Sequence, residues 1–309
     1  MVTADGDVVT LGGAAPDPIG LDLRSVVVGS EGTLGVVTRV LVKLTQNPPA
    51  VRTILLTFDS IQAAAATVSN TIAAGIVPAA LEMMDQPMVI AVEAFIHANL
   101  PVDAAAVLLA EVVGLDSAVA AEAAILERIA RDAGATSVRV AADDTERAVL
   151  WKARKSAFGA VAQAAPDYYL HDTVVPRTRL VEVMTQIYEI GERFGIEMLN
   201  VFHAGDGNLH PLVAYDAKEP GMFDKVRRAA EEMVKVSVAA GGSLSGEHGI
   251  GLEKRDLMGM VFEPIDLDAQ ARLRDAFDPD GSMNPGKILP RGARCYDYGM
   301  SSLPGEVAG

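Results

Sequence analysis

Val51-Arg-Thr-Ile-Leu-Leu-Thr-Phe58, followed after two residues by Ile61-Gln-Ala-Ala-Ala-Ala-Thr-Val-Ser-Asn-Thr-Ile-Ala-Ala74, decides the fold. The first run has a period near two and reads as a strand; the second has a period near 3.6 and reads as a helix. The alternation continues with strands expected at 78–84 and 104–113, a helix at 117–133 and a strand at 137–140. Strand–helix–strand stated twice points to a split βαβ, ferredoxin-like sheet with helices on one face, within the α+β class.

Working downstream, the pattern predicts a helix over 144–164, a strand over 168–175, a helix over 180–194 and a hairpin over 196–215. Helices are then expected over 220–240 and 266–277, the second stopped by Asp278-Pro-Asp-Gly. Upstream, residues 1–47 read as sheet, with short runs at 7–10, 25–28 and 35–43 between glycine-rich turns, too little to close a core alone. The texture changes at Pro48-Pro49, so the expected division is 1–47, 48–290 and an irregular tail at 291–309.

Composition narrows the function classes. The net charge of -15, from 26 basic and 41 acidic residues, opposes binding to nucleic acid or an anionic membrane surface. A small anionic substrate would then need a local positive site. The single cysteine, Cys295, excludes an internal disulfide and a cluster held by this chain's own cysteines, and fits a reducing compartment. The start, Met1-Val-Thr-Ala-Asp-Gly, lacks the features of a signal peptide, and no apolar run is long enough to span a bilayer, so the expected location is cytoplasmic.

The chemistry concentrates in Val201-Phe-His-Ala-Gly-Asp-Gly-Asn-Leu-His-Pro211. Asp206-Gly207 between apolar runs predicts a two-residue hairpin turn, which places His203 directly opposite His210. Opposed residues share a face with Cβ atoms about 5 Å apart, close enough for two imidazoles to meet one metal ion. Two hydrogen-bonded histidines bracketing a turn are the alternative. Gly241-Gly-Ser-Leu-Ser-Gly-Glu-His-Gly-Ile-Gly-Leu252 adds Glu247 and His248 in a glycine-dense loop, so three of the chain's five histidines lie in these two segments. Glu247 as third ligand gives two histidines and one carboxylate with open positions, suited to zinc first and to iron or manganese as alternatives. His248 is then available to act as a base beside the metal.

On these residues the chain resembles the FAD-linked oxidase C-terminal family, whose members join such a domain to a flavin domain of the vanillyl-alcohol-oxidase (PCMH) type. Val27-Val-Gly-Ser-Glu-Gly-Thr-Leu-Gly35 looks like that domain's last FAD-contacting loop, and Asp278-Pro-Asp-Gly-Ser-Met-Asn-Pro-Gly-Lys287 like the segment that returns to the flavin. Residues 1–47 would then be the last strands of an FAD-binding PCMH-type domain that is mostly missing. The resemblance implies FAD contacts from Gly29, Ser30, Glu31, Gly32, Thr33, Gly35, Asn284 and Lys287. Consecutive N–H groups over 29–33 suit a pyrophosphate, although an ordinary glycine turn reads the same way. Arg154 matches the family position that holds the substrate carboxylate, a task its planar fork suits; a solvated helix arginine beside Lys152 and Lys155 is the alternative. Relatives acting on larger acids carry a lysine where Leu170 stands, so Tyr168, Tyr169 and His171 are candidate substitutes.

Trp151-Lys-Ala-Arg-Lys155, Pro166-Asp-Tyr-Tyr169 and Arg294-Cys295 before Tyr298-Gly299-Met300 are similar to the D-type subunits that oxidise glycolate, more than to D-lactate or D-2-hydroxyglutarate dehydrogenases. The activity this resemblance implies is FAD-dependent oxidation of a small 2-hydroxy acid, glycolate or D-lactate, to the 2-oxo acid. The implied partners are an iron–sulfur subunit and a second flavin-type subunit of a glycolate oxidase complex, peripheral to the inner membrane. Two other classes stay open: a flavin-independent metal hydrolase or lyase on the same ligands, and an inactive assembly subunit whose flavin domain is incomplete.

Overall fold

The computed structural model describes residues 1–15, 17 and 20–290. The expected irregular tail, with Cys295, lies outside the described residues. The elements in chain order are α1 (Leu23–Val27), β1 (Ala50–Phe58), α2 (Ile61–Ala73), β2 (Ala80–Asp85), α3 (Gln86–Ile96), β3 (Ala106–Gly114), α4 (Asp116–Asp132), β4 (Ala135–Val140), α5 (Asp144–Lys155), α6 (Ala157–Ala164), β5 (Asp167–Leu170) and β6 (Thr173–Val174). After these come α7 (Leu180–Phe194), β7 (Glu197–His203), β8 (Asn208–Leu209), β9 (Pro211–Tyr215), α8 (Met222–Ala239) and α9 (Pro264–Phe277). They form two compact units, one from Gln46–Glu247 and one from Met1–Thr45 with the residues from His248 on.

The larger unit carries the expected split βαβ and then repeats it. Strands β4-β1-β3-β2 are hydrogen-bonded in that order, every neighbour antiparallel, with β1 and β3 in register from Ala50↔Gly114 to Phe58↔Ala106. The second half has the same plan: β7 pairs with β8 and β9, these pair with β6 and β5, and Ser243 bridges Val174 at the far edge. The two halves join where β2 pairs with β7. Helices α2, α4, α7 and α8 bury residues such as Val68, Leu126, Ile187 and Met233 against one face. The other face is covered by α3, α5 and α6 through Met88, Val92, Leu150 and Val161.

That second layer corrects the expectation of helices on one face, because strands such as β3 are apolar on both sides and need a cover for each. Helix α3 has no counterpart in the sequence reading. Its signal is present in Asp85, whose side chain caps Met88 N, with proline in the first turn. The helix expected over 144–164 breaks at Ser156 into α5 and α6, which lets Ala157 and Val161 join the cluster that holds Leu150 and Ala153. The strand expected over 168–175 divides at His171-Asp172.

The smaller unit also departs from expectation. Residues 25–28 fall largely in helix α1, started by the Asp22 side chain accepting from Ser25 N. The runs at 7–10 and 35–43 make only isolated bridges, Val2↔Val8 and Val2↔Val36, since a strand requires a paired neighbour. The stretch from His248 clusters in space with residues 1–45. Hydrogen bonds explain this: Glu31 accepts from Ile250 N at 2.6 Å and Gly251 N at 2.8 Å, and Asn284 Nδ2 donates to Glu31 O at 2.6 Å. None of the helices among the described residues is long and apolar enough to cross a membrane.

Helix α5 is tied to the sheet by charge. Glu111 of β3 accepts from Thr53 Oγ1 at 2.6 Å, from Arg147 Nε and Nη2 at 2.9 Å each, and from Trp151 Nε1 at 2.7 Å. Burial pushes the Glu111 carboxyl up, but these donors, Arg147 first, outweigh it and hold it below the ordinary 4.5. A carboxylate lowered by folding stabilises the fold above its ordinary value and loses that contribution as the pH falls through the lowered one. Glu111→Gln is therefore expected to lower the unfolding free energy at pH 7 by about 1–3 kcal/mol. In urea titrations the gap from the parent should narrow below pH 4.5; an unchanged gap would count against the ionic account.

Candidate metal and substrate site

The site is built on the seam between the two halves of the sheet. β2 and β7 pair as Glu82↔His203, Met83↔Phe202 and Met84↔Val201, so Glu82 and His203 leave the sheet side by side. By alternation they share the face of Met84 and Val201, the face covered by α5. Glu82 Oε1 lies 2.8 Å from His203 Nδ1, while its Oε2 receives Arg154 Nε at 3.0 Å and Nη2 at 2.8 Å. Burial pushes Glu82 up, but the His203 hydrogen bond and the Arg154 charge prevail and hold it low. The Glu82 hydrogen bond in turn raises His203 despite partial burial. With Glu82 on Nδ1, Nε2 is the ring nitrogen of His203 left for a further partner.

The hairpin register differs from the expected one. Ala204–Asp206 form a 3-10 turn closed by Gly207 in the left-handed region at φ 72, and His203 pairs with Asn208 rather than with His210. Val175 N donates to Gly207 O at 2.9 Å and Arg177 Nη1 to Gly205 O at 3.1 Å, which holds the longer turn. A Cβ on Gly207 would stand 2.2 Å from Val175 O, so the turn admits only glycine there. The shift amounts to two residues and preserves side-chain parity. His203 and His210 are therefore diagonal neighbours on one face, with ring centroids 5.4 Å apart and planes at 83°.

The third member arrives on the glycine loop. Asp172 is fully buried and accepts from Ser245 Oγ at 2.5 Å, Gly246 N at 3.0 Å and Glu247 N at 3.3 Å. This fixes the backbone that presents Glu247, whose Oε1 stands 3.5 Å from His203 Nε2 and 3.4 Å from His210 Nε2. Those separations exceed an ordinary hydrogen bond. They match the ligand-to-ligand edge, about 3.3 Å, of a tetrahedron with zinc-to-nitrogen bonds. The donor set thus fits a small divalent ion. His210 is 2% exposed and Glu247 51%, so the cluster is walled on the sheet side and open on the loop side.

Arg154 is buried and anchored on Glu82 instead of lying on the surface with Lys155. His171 is buried and Tyr168 exposed. His248 is exposed and opens the smaller unit. There the glycine loop is closed by Ser30 N to Val27 O and Thr33 N to Ser30 O, and Gly29, Gly32 and Gly35 all have positive φ. The Glu31 carboxylate is engaged by the N–H groups of residues 250 and 251. Asn284 sits against Glu31 O, and Lys287 Nζ donates to Pro285 O at 3.3 Å. Two residues that organise the site went unrecognised in the sequence, Glu82 and, as a loop anchor, Asp172. The signal for Glu82 was an acid inside the apolar strand Leu81-Glu-Met-Met84.

Known proteins share this chain's pattern. Residues 47–288 match the family described as FAD linked oxidases, C-terminal domain. The chain is 45% identical over 297 residues to glycolate oxidase subunit GlcD of Escherichia coli K12, covering 96% of this chain and 60% of that protein. It is 39% identical over 295 residues to the Bacillus subtilis 168 subunit of the same name, covering 95% and 63%. The chain thus spans about 60% of the length of the curated relatives it matches. A p-cresol methylhydroxylase crystal structure shares the fold at TM-score 0.71 and 15% identity, over 93% of this chain and 64% of that one.

Removing one partner of a buried ion pair leaves the other charge uncompensated. Glu82→Leu is expected to cost about 3–5 kcal/mol in chemical denaturation. The double variant Glu82→Leu/Arg154→Leu should regain part of the loss, and additive losses would show that the pair is not coupled.

Proposed function

The chain belongs to the FAD linked oxidases, C-terminal domain family, and from that premise we propose that it handles the substrate in an FAD-dependent oxidation of a small 2-hydroxy acid to the 2-oxo acid. Glycolate is the first candidate and D-lactate the second. The observation that carries this reading is the convergence of His203 Nε2 and His210 Nε2 on Glu247 Oε1 at 3.5 and 3.4 Å.

In this reading His203, His210 and Glu247 hold a divalent ion, zinc first and iron or manganese next, with positions left open on the exposed side. When bound, the ion supplies Lewis-acid polarisation of the α-hydroxyl, and FAD supplies the two-electron acceptor for the α-hydride. Glu82 holds His203 in the tautomer that presents Nε2, and Arg154 holds Glu82. Arg154 has five N–H donors, and those not on Glu82 are the candidates for the substrate carboxylate. His248, next in the chain to Glu247, takes the hydroxyl proton as base. Gly29, Ser30, Glu31, Gly32, Thr33, Gly35, Asn284 and Lys287 form the flavin-facing set; Glu31 acts there by fixing the backbone at 250–251. The similarity to glycolate oxidase subunits supports assembly with an iron–sulfur subunit and a second flavin-type subunit, which would carry electrons onward and account for any peripheral membrane attachment.

His203→Ala and His210→Ala should each reduce bound zinc to background by elemental analysis; zinc at parental level in both would remove the site. Protein shown by its visible absorbance to hold FAD should reduce an electron-accepting dye with glycolate or D-lactate. No reduction with either acid would overturn the oxidation reading.

A further inference from the structure

Only three residue pairs join the two halves of the sheet, and the residues in the middle of that seam, Met83, Met84, Val201 and Phe202, are apolar. Side chains keep their faces when one strand slides by two residues along another. The apolar residues therefore discriminate weakly between such registers: Met84 would find Leu199 in one and Met83 would find Ala204 in the other. The acids discriminate strongly. In the observed register Glu82 meets His203, and one step beyond Met84↔Val201 Asp85 stands opposite Asn200. In the two shifted registers Asp85 would face Met198 or Phe202 and Glu82 would face Val201 or Gly205, none with a polar side chain. By alternation Asp85 and Asn200 share the face of Met83 and Phe202, opposite to that of Glu82 and His203.

Asp85 and Asn200 are both buried. Asp85 Oδ2 accepts from Asn200 Nδ2 at 2.9 Å and from the Tyr188 hydroxyl of α7 at 2.8 Å, while Oδ1 accepts from Met88 N at the start of α3 at 3.1 Å. Asn200 Nδ2 also lies 2.9 Å from the Tyr188 oxygen. Each of these partners is neutral, and burial pushes the Asp85 carboxyl up in spite of them. Replacing buried ionic groups by well-packed apolar residues is often neutral or stabilising, so stability alone does not account for the acid. A polar contact inside an apolar interface is the device that fixes register in coiled coils.

We propose that Asp85 and Asn200 are positioning residues: their hydrogen bond across the seam fixes the register of β2 against β7, and through it the meeting of Glu82 with His203 on the opposite face. Neither residue belongs to the ligand set, and both act through the His203 imidazole. The consequence for zinc rests on the metal reading above; the consequence for the imidazole does not.

The first readout needs no metal. In metal-free protein carrying isotope-labelled histidine, NMR should show one Nδ1 proton of His203 shifted downfield by its bond to Glu82, assigned by its loss in His203→Gln. Asn200→Leu should split or abolish that signal, while Asp85→Asn, which keeps a hydrogen bond across the seam, should preserve it. The zinc affinity of the folded protein should fall about tenfold in Asn200→Leu, as for loss of other groups that orient a ligand, and stay parental in Asp85→Asn. If the leucine variant does not fold, Asn200→Ala carries the same two readouts. A purely structural pair would lower the melting temperature of Asn200→Leu while its His203 signal stayed single and in place, and that result overturns the proposal. A parent that binds no zinc overturns the metal reading, while the imidazole signal still decides the role of Asp85 and Asn200.

Discussion

Two halves of one sheet meet at three residue pairs between β2 and β7, and one of those pairs sets a carboxylate beside an imidazole. Glu82 has both oxygens occupied there, one by His203 and one by Arg154 of α5. Each of these groups is costly to bury alone and acceptable together, because the carboxylate lies between two donors and the guanidinium has its counter-charge. The geometry of His203 depends on this arrangement. So does the seating of α5, whose Arg147 and Trp151 close on Glu111 nearer the start of the helix.

The second imidazole and the carboxylate reach the same point by different routes. His210 comes from the hairpin, between β8 and β9, where burial fixes its rotamer. Glu247 comes from a loop whose path is imposed by one buried acid, Asp172, through the N–H groups of Gly246 and Glu247 and the Ser245 hydroxyl. Two imidazoles from the hairpin and one carboxylate on an anchored loop give a cluster closed toward the sheet and open on the other side. Arg154 is already paired with Glu82. In the proposed reading an anionic acid approaching a chain of net charge -15 therefore finds its main local attraction in the divalent ion.

Much of the architecture was legible. The periods near two and 3.6 over 51–140 led to the split βαβ, and the pairing order β4-β1-β3-β2 agrees with it. Helix α7 falls on the expected residues. The second helical layer was not legible, because whether a strand such as β3 is covered once or twice depends on what folds back onto it. Nor was the repeat of the split βαβ, whose last strand is reduced to one bridge at Ser243 and whose first is interrupted at His171-Asp172. The runs at 7–10 and 35–43 look like strands locally and make only bridges, since strand character is completed by a partner.

The histidine pair separates the two sources of information most clearly. Sequence by itself determined that His203 and His210 share a face: the turn lies between them, and a register error of two residues leaves parity unchanged. It also determined that glycine would dominate the turn and the Glu247 loop, where a Cβ at Gly207, Gly242 or Gly246 would collide with a neighbour. Tertiary structure alone decided the register, which is set by Val175, just past β6, and Arg177 of the turn that follows. It alone brought Glu82 to His203 across 121 residues of chain and enclosed Asn208 against Gly246. Local pattern encodes which face a side chain takes, whereas the partner on that face comes from segments whose spacing along the chain has no period to read.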